Sequence, residues 1–509
     1  MLRLYLLGMF LCLYGNIFSQ KNLSKNWILG AGISYKVKFE NQVPEISYFN
    51  TTYNYYFIHG SSCISDSNGY LKILCNGYQI YDTLGAHIEN GDSLVPPMIY
   101  DLYDGFSGFS QSSLILPFSD DIYYILTPTA SDLEFISSWG PGGNAYFDLL
   151  LCHKVDMKLG SNGRVIKKAM PLLQQANLSK SQMMACRHAD GINWWLLKPA
   201  RSVNTIYKFI VTKDSVYNMG SQVFMNPQIG IPDIAGQCMF NQLGTQFASV
   251  VQASDFIFIA DFDRCSGELT NSKFYKIPDH IKLPTGPDLD TEPSGICFSP
   301  NGQFLYISKY YNIYQFDLLD PDTNTAWYHV ANLDTSAQAF QGYGNIYLGP
   351  DDKAYIANWN GTSKQMSKIE SPDVKGAGCN FCPRCFRFPQ WGPENPPNMP
   401  NYALGKDTTI NCNGVGFDEG EKENERVTIF PNPSALGMFN VECSMFQKRD
   451  LELEVYTLLG QKVLSQVVKR GTLRAEVDVR GLGAGVYFLK ARLCSPQAGE
   501  TWVRKVVVE

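Results

Sequence analysis

The densest group of reactive side chains is Cys379-Asn380-Phe381-Cys382-Pro383-Arg384-Cys385. Two overlapping C-x-x-C spacings place three sulfurs in one short segment, the pattern of a zinc or iron–sulfur ligand set or of a dithiol redox pair. A metal would need a fourth ligand, yet Phe386 follows directly and Cys412 is distant. Disulfides joining this segment to the chain around Cys412 satisfy the same residues without a metal, so no cofactor is expected. His153, His188 and His280 have polar neighbours, but no two stand at a metal-pair spacing. His188, two residues before Asp190, suits a turn-stabilising ring better than a catalytic one. Asp261, Asp263 and Arg264 follow a strand-like run and could supply an acid and a base, although Asp after a strand is more often a turn former. Asp317, Asp320, Asp322 and Asn324 hint at calcium. Counting from Asp320, however, the sixth and twelfth places hold Thr325 and Ala331 where Gly and Glu are required. No nucleophile elbow, phosphate loop or dinucleotide fingerprint occurs. No catalytic residue is assigned, and an enzymatic role is the lesser expectation.

The elements that would position these groups are strands. The chain has 509 residues, 45% hydrophobic and 18% charged, with 30 Phe, 29 Tyr, 43 Gly and 27 Pro. Such a composition argues against disorder and suits an all-β protein of more than one domain, with short strands and tight turns. A net charge of −6 gives no electrostatic footprint for nucleic acid. Residues 1–19 read as an export leader: Arg3 precedes the apolar run Leu4 to Tyr14, and Ser19-Gln20 offers a cleavage point. That run is too short to span a bilayer, and no transmembrane segment is expected elsewhere. Of 14 cysteines, all but Cys12 follow the leader, and export makes disulfides their expected state.

Between residues 20 and 407 strand follows strand, with no convincing amphipathic helix. Asn68-Gly69, Asn76-Gly77, Asn162-Gly163, Asn301-Gly302 and Asn360-Gly361 predict two-residue hairpin turns. A weak repeat is clearest from Glu292 to Leu318 and again from Gly344 to Asn358, with looser copies starting near Ser61, Ser112, Met183 and Gln237. Each unit is one antiparallel sheet that cannot bury both faces alone. Radial stacking of six to eight such sheets, with seven preferred, gives a β-propeller. The turn Ser299-Pro300-Asn301-Gly302 resembles the blades of WD-type and YVTN-type propellers. The stretch ending Pro397-Asn398-Met399-Pro400-Asn401-Tyr402 resembles a propeller group of secreted Bacteroidota proteins. Trp194, Trp195 and Trp359 would suit a protein or glycan ligand if exposed, and packing between blades is the expected role for most of them. A hydrolase or lyase acting on polysaccharide or a lactone would instead need carboxylates or histidines converging at the central channel.

Residues 408–426 include the charged run Asp418 to Glu425 and read as a linker. Residues 427–509 contain about seven short strands, consistent with a small Ig-like β-sandwich. In order they carry Phe430-Pro431-Asn432-Pro433, Gly460-Gln461-Lys462-Val463, Gly485-Val486-Tyr487 and a basic-apolar end at Arg504-Lys505. This order resembles the type A sorting domain of type IX secretion. The resemblance implies Sec export to the periplasm, then passage to the surface or medium through a translocon and a sorting peptidase. It also makes Pro431, Asn432, Pro433, Gly460, Gly485, Val486, Tyr487 and Lys505 the recognition residues. Such tails often end on Lys; here the last residue is Glu509. Cys443 and Cys494 fall on predicted strands, where they either bridge or remain separate thiols.

Overall fold

The structure is a computed structural model. It describes residues 22–508 except 41–42, 50–54, 139–145, 202–203, 226–235, 253, 279–292, 333–341, 360–362, 410–411, 413–426, 433, 435–436, 444–445, 447–449, 458–460 and 494–501. The leader, His280, Asn360-Gly361, most of the linker, Pro433, Gly460 and Cys494 lie outside the described residues. The chain divides into two compact units, Met1–Cys412 and Asn413–Glu509.

Among the described residues the first unit holds seven antiparallel sheets in chain order. Blade 1 spans residues 26–57, blade 2 62–81, blade 3 114–173, blade 4 184–223, blade 5 236–276, blade 6 293–332 and blade 7 343–387. Six have four strands and blade 2 has three. Blade 6 shows why each sheet must stack. Its strands Pro293–Phe298, Phe304–Lys309 and Asn312–Asp317 are buried along their whole length, and only the fourth, Trp327–Asn332, meets solvent. Both faces of the first three strands therefore need a neighbouring sheet.

Apolar clusters join the blades into a closed ring. One runs through blades 2, 3, 4 and 5, and others link 5 to 6 and 6 to 7. Trp27, Leu29 and Tyr35 of blade 1 pack with Tyr355, Met366 and Phe386 of blade 7, while Ile28 and Phe57 meet Leu71 and Leu74 of blade 2. The seven sheets are thus a β-propeller. Two short helices, Pro97–Leu102 and Asp132–Ser138, interrupt the strands where none was expected. At six and seven residues they are too short to show a helical apolar period.

The Asn-Gly pairs act differently from the two-residue turns anticipated. In blade 6, Ser299 N–H bonds to Phe304 O, and Gly302 N–H bonds back to Ser299 O, so Asn301-Gly302 closes a longer connection. Gly302 has φ +76°, the left-handed turn exit that L residues disfavour. The same i to i+3 bond recurs at Asp66–Gly69, His188–Gly191 and Asn241–Gly244.

The blade axis is filled with polar side chains. Gln111, ahead of blade 3, donates to Cys238 O of blade 5 and accepts from Cys238 N–H, both at 2.9 Å. Gln237 of blade 5 accepts from Ile296 N–H and Ile346 N–H and donates to Ile346 O at 2.7 Å. Contacts between blades 3 and 5, and between 5 and 7, are possible only across the axis. Lys198 is fully buried and donates to the carbonyls of Ser179, Ser181 and Gln182 at 2.6–2.9 Å, shaping the loop that presents Gln182 to blade 5.

A proline-rich strap, residues 393–407, completes the ring. Asn395 donates to Asn345 of blade 7. Asn398 donates to Ser113 O and Met183 O, ahead of blades 3 and 4, accepts from Gln111, and bonds through its own N–H to Ser61 O. Asn401 donates to Gln242 O beyond the first strand of blade 5. The three asparagines are spaced by three along the strap, and each reaches a different part of the ring. Asn395 and Asn398 are fully buried.

Replacing Asn398 by Leu strands two carbonyls and one Gln111 N–H in the interior. We expect a loss of about 3 kcal/mol, read as a lower urea midpoint at unchanged m-value. A loss under about 1 kcal/mol would show that the strap does not hold the ring.

The second unit is a sandwich. One sheet contains Val427–Phe430, Met438–Cys443 and Ala475–Asp478, and the other contains Lys462–Val468, Leu451–Thr457, Gly485–Leu493 and Trp502–Val508. Phe439, Val441, Leu453, Val455, Val477 and Leu489 form its core, all 0% exposed.

Candidate functional site

Most of the sequence-predicted chemistry turns out to hold the fold. His188 opens the first turn of blade 4. Its Nδ1 lies 3.0 Å from the Asp190 carboxylate and its Nε2 3.1 Å from Cys265 O. Burial opposes ionisation of Asp190, but the His188 ring and the N–H groups of Ile192 and Asn193 outweigh it and hold the carboxyl well below its usual range. Arg264 is buried. It donates to Arg187 O, His188 O and Gly405 O, and its guanidinium is 3.9 Å from Asp407. This cluster therefore anchors the far end of the strap. Asp263 takes Cys265 N–H and the Ser266 hydroxyl, and Asp261 takes the Asn271 amide, which is turn chemistry. Asp317 pairs with Lys375, and Asp320 and Asp322 accept bonds from their own turn. Trp194 and Trp195 are fully buried and donate to Pro117 O and Arg264 O.

The cysteines sort by exposure. Cys412 pairs with Cys265, 147 residues away, and Cys382 pairs with Cys385. Cys412 therefore ties the strap's end to blade 5 and not to the segment containing Cys379. Cys379 is a buried free thiol whose proton is retained through burial. Cys63, Cys75, Cys186 and Cys297 are likewise free, and burial pushes each thiol up to about 12. The strand Met438–Cys443 includes Cys443, but its side chain lies outside the described residues, as does Cys494. In the loop-entropy picture the long Cys265–Cys412 closure stabilises by on the order of 5 kcal/mol, and the short Cys382–Cys385 ring by only about 2 kcal/mol.

A cavity of about 340 Å³ opens on the propeller axis and is roofed by the strap. Met184, Met239 and Met399 line it with Trp27 and Tyr347, and Asn241, Gln242 and Asn401 supply amides. Sequence reasoning missed this cavity, since its walls come from blades 1, 4, 5 and 7 and the strap. Elsewhere on the axis the converging groups are amides and hydroxyls, such as Ser110 donating to Asn345, and His59 Nε2 lies 3.2 Å from Glu394 Oε2. A second buried histidine, His153 of blade 3, accepts from Ala169 N–H at Nδ1, and its Nε2 has no partner among the described residues.

In the second unit the motif residues converge although they are far apart in sequence. Asn432 Oδ1 accepts Val507 N–H at 2.9 Å, and Ser434 N–H donates to Val507 O at 2.8 Å. On the opposite edge of the last strand, Gly485 pairs with Val508, Val486 with Val507 and Tyr487 with Val506. Tyr487 also pairs with Thr457, which bonds to Gln461. The backbone of Lys505 pairs with Phe488. Pro431 follows a cis Phe430–Pro431 bond at the entry to this clamp. The final strand is therefore gripped on both edges by motif residues, which blunts an otherwise open edge.

Residues 428–509 match the family described as secretion system C-terminal sorting domain. That match implies export to the cell surface or extracellular space. It covers the second unit only. No curated protein matches the chain. Among solved structures, a functionally unknown protein from Desulfotomaculum acetoxidans is similar at 10% identity and TM-score 0.38, covering 68% of this chain and 92% of its own. Periplasmic gluconolactonase of Pseudomonas aeruginosa is similar at 11% identity and TM-score 0.36, covering 89% and 99%. The Swd1 β-propeller domain of Myceliophteria thermophila is similar at 10% identity and TM-score 0.35, covering 66% and 91%.

Two predictions follow from these contacts. Burial, helped by the Lys168 charge, pushes the His153 pKa down to about 3. Stability that is full above pH 6.5 therefore falls as pH drops toward 3, by up to about 1.4 kcal/mol per unit. His153→Gln should flatten acid unfolding over that window, and an unchanged slope would count against it. Asn432→Ala removes the acceptor for Val507 N–H and should cost about 1 kcal/mol locally, seen as faster hydrogen exchange at Val507 with the core strands unaffected.

Proposed function

We propose that the chain travels by the type IX route of a Bacteroidota-type cell and that its propeller, outside the outer membrane, binds a protein ligand through an apolar side chain. The observation that carries the binding reading is the strap-roofed cavity. Three methionines, an indole and a phenol form a soft apolar wall, and Asn241, Gln242, Asn401 and Asp352 are polar residues set among the remaining, mostly apolar lining, the composition of a recognition pocket. Methionine adapts to ligands of varied shape, which suits display of a binding face. The type A sorting reading is supported by the match over residues 428–509 and by the grip of its motifs on the last strand. In this reading the leader engages Sec, and the translocon and sorting peptidase read the folded sandwich.

Export is tested in a type IX-competent bacterium with and without residues 427–509. The full chain should reach the surface or medium and the truncation should stay in the periplasm; equal export would end the sorting reading. Binding is tested by panning a random peptide library on the full chain. Selected peptides should carry a bulky apolar residue and lose about tenfold or more in affinity, some 1.4 kcal/mol, against Met399→Lys. Peptides that bind the variant equally well would place recognition elsewhere.

A further inference from the structure

The Cys382–Cys385 pair lies where a structural disulfide has little to hold. It sits on Phe381–Arg387, the outermost strand of blade 7, and joins residues three apart that one strand already fixes. Both sulfurs are half-buried and Pro383 between them is exposed, in contrast to the seven free thiols among the described residues, all buried. The strand bulges at this point. Met366 pairs with Phe386 and Lys368 with Cys382, so the single residue Ser367 on one strand faces three, Pro383, Arg384 and Cys385, on the other. Arg384, inside the bulge, has φ +52°, and its N–H is taken by the Ser367 hydroxyl at 3.1 Å. Lys368, directly opposite Cys382, bonds to Glu370 at 2.6 Å, and a Glu370 carboxylate oxygen and both sulfurs all lie within 4.8 Å of one another. Cys385 Sγ is 3.3 Å from Cys382 O, an acceptor for its S–H once reduced.

We propose that Cys382 and Cys385 form a thiol–disulfide exchange site for low-molecular-weight disulfides. In the dithiol form, Cys382 thiolate, paired across the strands with Lys368, attacks one sulfur of R–S–S–R. That S–S bond breaks, RS⁻ leaves and takes a proton, and a mixed disulfide forms on Cys382. Cys385 gives its proton to Glu370 or water, and its thiolate attacks Cys382 Sγ. The protein disulfide closes and a second RSH is released. Two electrons and two protons pass from the dithiol to R–S–S–R, and two RSH reverse the reaction.

The experiment uses the full chain in buffers of reduced and oxidised glutathione, quenched by alkylation, with both cysteine pairs read by peptide mass spectrometry. Cys382–Cys385 should open at a glutathione excess about tenfold or more below that needed for Cys265–Cys412. After reduction it should reclose with glutathione disulfide about tenfold faster than in a free peptide of residues 379–387, and Lys368→Met should remove most of that advantage. Cys385→Ser should trap glutathione on Cys382. Opening of both pairs together, a reclosing rate equal to the peptide's, or an untrapped Cys382 in the serine variant would each overturn the proposal. So would zinc retained by the reduced chain in place of reclosing.

Discussion

A propeller must do something with the polar backbone that its innermost strands turn toward the axis. Buried N–H and C=O groups without partners cost more than most packing contacts return. Here the demand is met by amide side chains that copy the two-bond pattern of a β-ladder. Gln111 reaches Cys238 and Gln237 reaches Ile346, each both donating and accepting. The strap then adds Asn395, Asn398 and Asn401, each reaching a different part of the ring. Among the described residues no strand is shared between first and last blades. Closure comes instead from the packing of blade 1 on blade 7 and from this amide network. The same network decides where a ligand can go, since one part of the axis is filled and the other is left as a cavity roofed by the strap.

The anchoring of the strap accounts for most of the side chains that looked chemical. His188, Asp190, Arg264, Asp407 and the Cys265–Cys412 bond meet at the junction of blades 4 and 5, and each is committed to a partner in the fold. A cluster of this kind resembles an active site by composition alone. What separates it is that its donors and acceptors are spent on main-chain groups, such as Arg187 O, His188 O and Cys265 O. The buried thiols follow the same logic: desolvation keeps them protonated and inert in an exported protein, while the half-buried sulfurs are paired.

Strand patterning, the repeat and the motif order of the C-terminal segment could be read from the chain, because each depends on neighbours within a few residues. The starts near Ser61, Ser112, Met183 and Gln237 fall within two residues of the first strands of blades 2 to 5, since an all-apolar strand and a glycine turn are local signals. The sorting motifs were legible as an order of residues. That they grip one strand was not, because Asn432 and Val507 meet across 75 residues. The cavity, the partner of Cys412, the solitary Cys379 and the axial amides were decided by tertiary structure alone. A glutamine that bonds a backbone 127 residues away has the same local sequence appearance as one in a surface loop. Only the circular closure of seven sheets brings those groups within hydrogen-bonding distance, and the cost of leaving them unpaired fixes which ones meet.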